Sequence, residues 1–210
     1  MAGLREKQKA DRHRRIIDSA STLFGQVGYD AARIDAIAEL AELSVGTFYN
    51  YFETKADLLL AIVSMEVEEV LSQGEGVLVD PPDEPLAALG LLIRTYYGHS
   101  LVYLTKDMWR SAMAMAIQQP EAPFSRRYRE LDAALAEQVC RLIEKLRLRG
   151  DLRSDLQSRP LGELAFNDLN ALFTEFILDE EQSLDQLQSR LQAHLTALAS
   201  LIVTKTQGAT

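Results

Sequence analysis

The sequence predicts an all-α chain, with an N-terminal three-helix helix-turn-helix domain followed by a larger helical domain. Three observations carry this. Apolar residues recur at i, i+3 and i+4 through nearly all 210 residues, glycines and prolines punctuate those stripes, and no segment alternates apolar and polar residues as a half-buried strand would.

Ile16, Ile17, Ala20, Leu23, Phe24 and Val27 form one helical stripe, which Gly28 stops. Ile34, Ile37, Ala38 and Ala41 make a short second helix, and Ser44 opens a third after a brief turn. A fourth, from Thr54 to about Gln73, carries Leu58, Leu59, Ile62 and Met65. Gly74 to Pro85, with glycines at 74 and 76 and prolines at 81, 82 and 85, is the strongest punctuation in the chain, so the linker between domains is expected there. Further helical patterns cover about 86–106, 107–118, 124–149, 160–178 and 184–204. The expected domains are therefore 1–54, with a basic arm over 1–10, and 55–210, joined through the helix at about 55–73.

An apolar fraction of 47% is enough for a core without staples. The one cysteine, Cys140, cannot form an internal disulfide, and the charged start of the chain has no apolar stretch behind it like that of a secretory signal. No apolar run approaches the roughly 18 residues of a membrane span. These features predict a soluble, cytoplasmic protein that is not held by a membrane.

The net charge of -9 speaks against nucleic acid until its distribution is considered. Residues 1–15 carry Arg5, Lys7, Lys9, Arg12, Arg14 and Arg15 against Glu6 and Asp11, whereas residues 61–210 hold 14 basic and 22 acidic side chains. An acidic body with a basic tip orients that tip toward a duplex. Taken alone, the basic segment before Arg15 reads first as a solvated tail and second as an arm along DNA.

On a helical wheel from Leu43 to Phe52, with Ser44 as N-cap, Phe48 and Phe52 share one face. Gly46, Thr47 and Asn50 form the opposite face: a glycine permitting close approach, a methyl and hydroxyl, and an amide suited to adenine. Tyr49 and Tyr51 flank it, each able to send a hydroxyl to phosphate, and Val45 lies nearer the core side. In Glu53-Thr54-Lys55-Ala56-Asp57, Thr54 is the expected cap and Asp57 the acid three residues on. Lys55 opposes the helix dipole there, which a phosphate on that N-terminus would offset.

The run LFGQVGYDAARIDAIAELAELSVGTFYNYFETKADLL closely resembles the signature of the TetR family of bacterial regulators over about the first 65 residues. The resemblance implies phosphate contacts from Tyr49 and Lys55, and groove-facing positions from Ser44 through Val45, Gly46 and Thr47 to Asn50. The sequence departs from it in two places. Ala32 and Arg33 stand where the family usually has a capping threonine or serine, so that Arg33 would supply the phosphate contact by charge. Glu42 replaces the turn glycine and tolerates positive φ poorly.

His13, His99 and His194 lack ligand spacing, so no metal is expected. Neither a phosphate loop nor a nucleophile motif is present, so the sequence predicts no cofactor, no catalytic residues and no enzyme. Most of the aromatic and methionine cluster of the middle region reads as core, yet such side chains also line cavities for small molecules. The candidate effector pocket is Tyr96, Tyr97, His99, Tyr103, Met108, Trp109, Met113 and Phe173. The apolar stripes of the last two helices need a partner, inside the monomer or across a two-fold axis. The resemblance implies the latter, with Leu172, Phe176, Leu187, Leu191, Leu195 and Leu198 in a homodimer interface. The reading is thus a regulator, most simply a repressor, released from a palindromic double-stranded operator by a small-molecule effector. A helical ligand-binding or protein-interaction module without DNA binding is the alternative.

Overall fold

The computed structural model describes residues 2–203, though not the side chains of Ala2, Leu4 and Arg5; the arm expected over 1–10 therefore lies partly outside what is described. Among the described residues the order is α1 (Ala2–Val27), α2 (Ile34–Leu40), α3 (Val45–Phe48), α4 (Lys55–Val79), α5 (Pro85–His99), α6 (Lys106–Gln118), α7 (Pro123–Arg149), α8 (Ser158–Leu178) and α9 (Leu184–Ile202). Among the described residues they pack as two compact units: residues up to 66 with 101–129, and residues 67–100 with those from 130 on.

In the first unit α1 packs on α2 and α2 on α3. Ile16, Ile17, Ala20, Phe24, Ile37, Phe48, Leu58, Leu59 and Ile62 are buried, as the stripes require. Gly28 ends α1 at φ 85, where a side chain would be strained. The segment from Leu101 belongs to this unit as well. Ser21 donates to the Tyr103 carbonyl at 2.6 Å, and the Tyr29 backbone N–H donates to the Asp107 carboxylate at 3.2 Å. The basic segment before Arg15 is not a tail: α1 begins at Ala2 and runs through it.

The expected linker is also corrected. Rather than breaking at Gly74, α4 continues through both glycines to Val79. The reason is packing, since a Cβ at Gly74 would stand 2.1 Å from Gln138 Oε1 and 2.9 Å from Leu92 Cδ1. The bare backbone lets the buried Gln138 amide donate to the Leu71 carbonyl at 2.9 Å and to Glu75 at 2.7 Å, while accepting from the Tyr96 hydroxyl at 2.7 Å. Lys145 then caps the last turn of α4 through the Leu78 and Val79 carbonyls.

In the second unit α9 packs on α5 and α8. The assignment of the stripe residues to a two-fold interface is corrected here for five of the six. Leu172, Phe176, Leu187, Leu191 and Leu195 are buried within the single chain, and Leu198 is half-buried. A side chain enclosed by its own helices has no surface left for another subunit. The outward faces carry instead Leu164 and Leu178 of α8 and Leu201 of α9, each about two-thirds exposed.

Candidate nucleic-acid interface

The entry to α2 has a weak cap. Arg33 occupies the N-cap position with extended backbone and makes no capping bond. Its guanidinium forks onto Asp35 at 3.0 and 2.7 Å, which holds the Asp35 carboxyl below its ordinary range, chiefly by that hydrogen bond. The turn to α3 passes through Glu42 at φ 56, the one non-glycine residue at positive φ among those described. The departure from glycine therefore keeps the glycine-like conformation, at a cost of about 1–2 kcal/mol. Glu42 is highly exposed and meets Arg15 at 3.3 Å.

Ser44 caps α3 by accepting the Thr47 N–H at 3.1 Å, and the two hydroxyls meet at 2.8 Å. Only one turn, Val45–Phe48, is α-helical, shorter than the wheel assumed. Beyond it the bonds tighten, with Asn50 N–H donating to Thr47 and Tyr51 N–H to Phe48. Phe48 is fully buried, edge-on to Tyr49 at 5.6 Å and 6.0 Å from Phe52. Gly46, Tyr49 and Asn50 are exposed with Ser44, and Thr47 is half-covered. Val45 is exposed too, outward of its place on the wheel. The face is thus short, shallow and largely uncharged, anchored from beneath by two phenylalanines.

Tyr51 and Phe52 meet a residue the sequence reading passed over. The His13 ring stacks on Phe52 at 5.0 Å and leans on Tyr51 at 6.3 Å. Burial, and then the charge of Lys9, pushes the His13 pKa down. Only its i−3 spacing from Ile16 hinted that it faces inward.

Thr54 and Asp57 form a reciprocal cap for α4, as the spacing predicts: Thr54 N–H donates to Asp57 at 2.9 Å and Asp57 N–H to the Thr54 hydroxyl at 3.1 Å. Lys55 points elsewhere than expected. Its ammonium donates to the carbonyls of Tyr29, Asp30 and Ala32 at 2.7, 2.9 and 3.3 Å and lies 4.6 Å from the Tyr29 ring centroid. Its three protons are spent on the loop between α1 and α2.

A family model described as bacterial regulatory proteins, tetR family, matches residues 16–62, which include the α2 entry, the turn, α3 and the cap of α4. That N-terminal stretch is what the chain shares with the TetR family model. A relative, the HTH-type transcriptional repressor KstR of Rhodococcus jostii, is 33% identical over 90 residues, 43% of this chain and 41% of its own length. The match thus spans under half of that repressor. Among solved structures, a TetR-family transcriptional regulator from Mesorhizobium loti superposes with a TM-score of 0.74 at 20% identity, covering 93% of this chain and 98% of that one. FadR of Thermus thermophilus, a TetR-family repressor in complex with lauroyl-CoA, gives 0.65 at 22% identity, covering 94% and 98%. At these identities the two likenesses show the fold.

The candidate pocket residues divide between the units. Tyr103, Met108, Trp109 and Met113 belong to the first; Tyr96, Tyr97, His99 and Phe173 to the second. In the second, Tyr97 stacks on Phe173 at 5.9 Å and donates its hydroxyl to the Leu169 carbonyl at 2.6 Å, and burial pushes its pKa up. His99 stands 3.3 Å from Glu69. No helix among the described residues is long and apolar enough to cross a membrane.

Proposed function

We propose that the chain is a sequence-specific DNA-binding regulator that represses from a palindromic operator as a homodimer and is released by a small-molecule effector. The carrying observation is the exposed face of Ser44, Val45, Gly46, Thr47 and Asn50, flanked by Tyr49 and Tyr51 and held on a rigid aromatic base. Uncharged polar tips on a pre-organised turn read base edges, while hydroxyls at the flanks take phosphate. Arg33 adds charge at the entry to α2, at the expense of its fork with Asp35. Lys55 acts from behind this face, by holding the loop that positions α2.

A dimer would set two such faces about 34–36 Å apart, on successive major grooves. The remainder, 55–210, then houses the effector and the subunit contact, and the protein works in the cytoplasm, where its operator lies. The Thermus relative's ligand makes acyl-CoA thioesters the first effector class to try. An effector that prefers the DNA-incompetent state by 1–3 kcal/mol lowers operator affinity about 5- to 150-fold.

The test is selection of bound duplexes from fragmented genomic DNA, followed by titration of the selected site with and without lauroyl-CoA. A palindromic site with half-sites one helical turn apart, relaxed at one base position of each half-site by Asn50→Ala, supports the reading; recovery of no enriched sequence overturns it.

A further inference from the structure

Beyond Ile16, its outermost core residue, α1 runs on toward its N-terminus through Ala2–Arg15, about 21 Å at 1.5 Å per residue. Every side chain from Glu6 to Arg15 is exposed. Ahead of His13 such an overhang has little to hold it in the folded chain. It lacks an apolar face, and its first turn has no acidic residue to meet the positive end of the helix dipole, which its basic residues oppose.

Part of its charge is used internally. Arg14 pairs with Asp18 at 3.2 Å and Arg15 with Glu42 at 3.3 Å. Lys7, Lys9 and Arg12 make no ion pair or hydrogen bond among the described residues. At about 100° per residue, Lys9 and Arg12 fall on the same side of α1 as Ile16 and near His13. Since His13 stacks on Phe52 and leans on Tyr51, that side continues from the end of the α3 turn. A basic row thus extends the polar face past its tyrosine edge.

We propose that the α1 overhang is a second DNA contact, in which Lys9 and Arg12 take phosphates of the duplex flanking the bases read by α3. The inference rests on the DNA-binding reading above and adds a sequence-independent component to it. Phosphate, rather than a lipid surface, is the partner the chemistry favours, because residues 5–12 offer Ala10 alone as an apolar side chain and an interfacial helix needs an apolar face. The overhang would fix register and supply affinity while α3 supplies discrimination.

The experiment compares the full chain with its Lys9→Gln/Arg12→Gln double variant on a mixed-sequence duplex of about 40 base pairs, long enough to hold a site and its flanks. Fluorescence anisotropy between about 50 and 200 mM salt reads the slope of log affinity against log salt. The slope should be shallower by about two units per subunit in the variant, with melting temperature and sequence preference unchanged. An unchanged slope with binding retained overturns the proposal, as does a lowered melting temperature, which would make the overhang part of the fold. A wild-type chain that binds no duplex fails the DNA reading itself. Asn50→Ala, expected to relax preference at one base position of each half-site at constant slope, separates the two contacts.

Discussion

The Lys55 ammonium closes the α1–α2 loop by bonding the carbonyls of Tyr29, Asp30 and Ala32 while lying over the Tyr29 ring. Replacing it with methionine leaves those carbonyls without their charged donor. Hydrogen bonds to a charged group contribute about 1.5–3 kcal/mol, and partial exposure brings the expected loss of stability to about 1–2 kcal/mol. Urea denaturation of Lys55→Met should show this, with a salt slope of DNA binding unchanged from wild type. A slope shallower by one unit at unchanged stability would return Lys55 to the phosphate-binding set.

Glu42→Gly should stabilise the protein. The glycine removes a strain of about 1–2 kcal/mol at φ 56, offset by a more flexible unfolded chain and an exposed ion pair with Arg15 worth under about 1 kcal/mol. A net gain of about 0.5 kcal/mol, read from the denaturation midpoint, should come with tighter DNA binding, since an acid beside the duplex is lost.

Asn50→Ala should leave stability within about 0.5 kcal/mol, because the side chain is exposed on a turn. Discrimination at one base position of each half-site should fall by about 1–3 kcal/mol, measured by competition between substituted duplexes.

Acid should weaken the His13 contact. The folded protein holds this pKa below the ordinary 6.5, so the unfolded chain takes up the proton first. The stabilisation is complete above about pH 6.5 and is lost as pH falls through that value toward the folded pKa. Melting curves from pH 7.5 to 5.5, roughly one unit either side of that value, should show a fall that His13→Phe flattens. Equal pH dependence in both proteins would remove His13 from the account.

Gly74→Ala tests why α4 does not break. Helix propensity alone favours alanine by about 1 kcal/mol. The added methyl would strike Gln138 and Leu92, so a net loss of about 1–3 kcal/mol is expected from denaturation.

The helix-turn-helix was legible because its signals are local. Ser44 three residues before Thr47, Thr54 three before Asp57, and Phe48 four before Phe52 each specify geometry over a single turn. The misread positions depend on contacts distant in sequence. Gly74 reads as a breaker until Gln138 is placed against it, and Lys55 reads as a phosphate ligand until the carbonyls 23–26 residues earlier are brought beneath it. The α8 and α9 stripes show that a partner is needed without showing whether it comes from the same chain. Their leucines are used within the monomer, and the sparser outer faces had no periodic signature.

The path of the chain has a practical consequence. It passes between the two units three times, after residues 66, 100 and 129, so neither unit is a continuous stretch. A fragment ending in the expected linker would carry α1 to α3 and most of α4 but lack α6, whose Asp107 holds the loop after α1. Such a piece should be aggregation-prone rather than an isolated DNA-binding module. A chimaera that keeps the α3 face on its own unit would have to exchange 67–100 and 130–210 together, leaving 101–129 with 1–66.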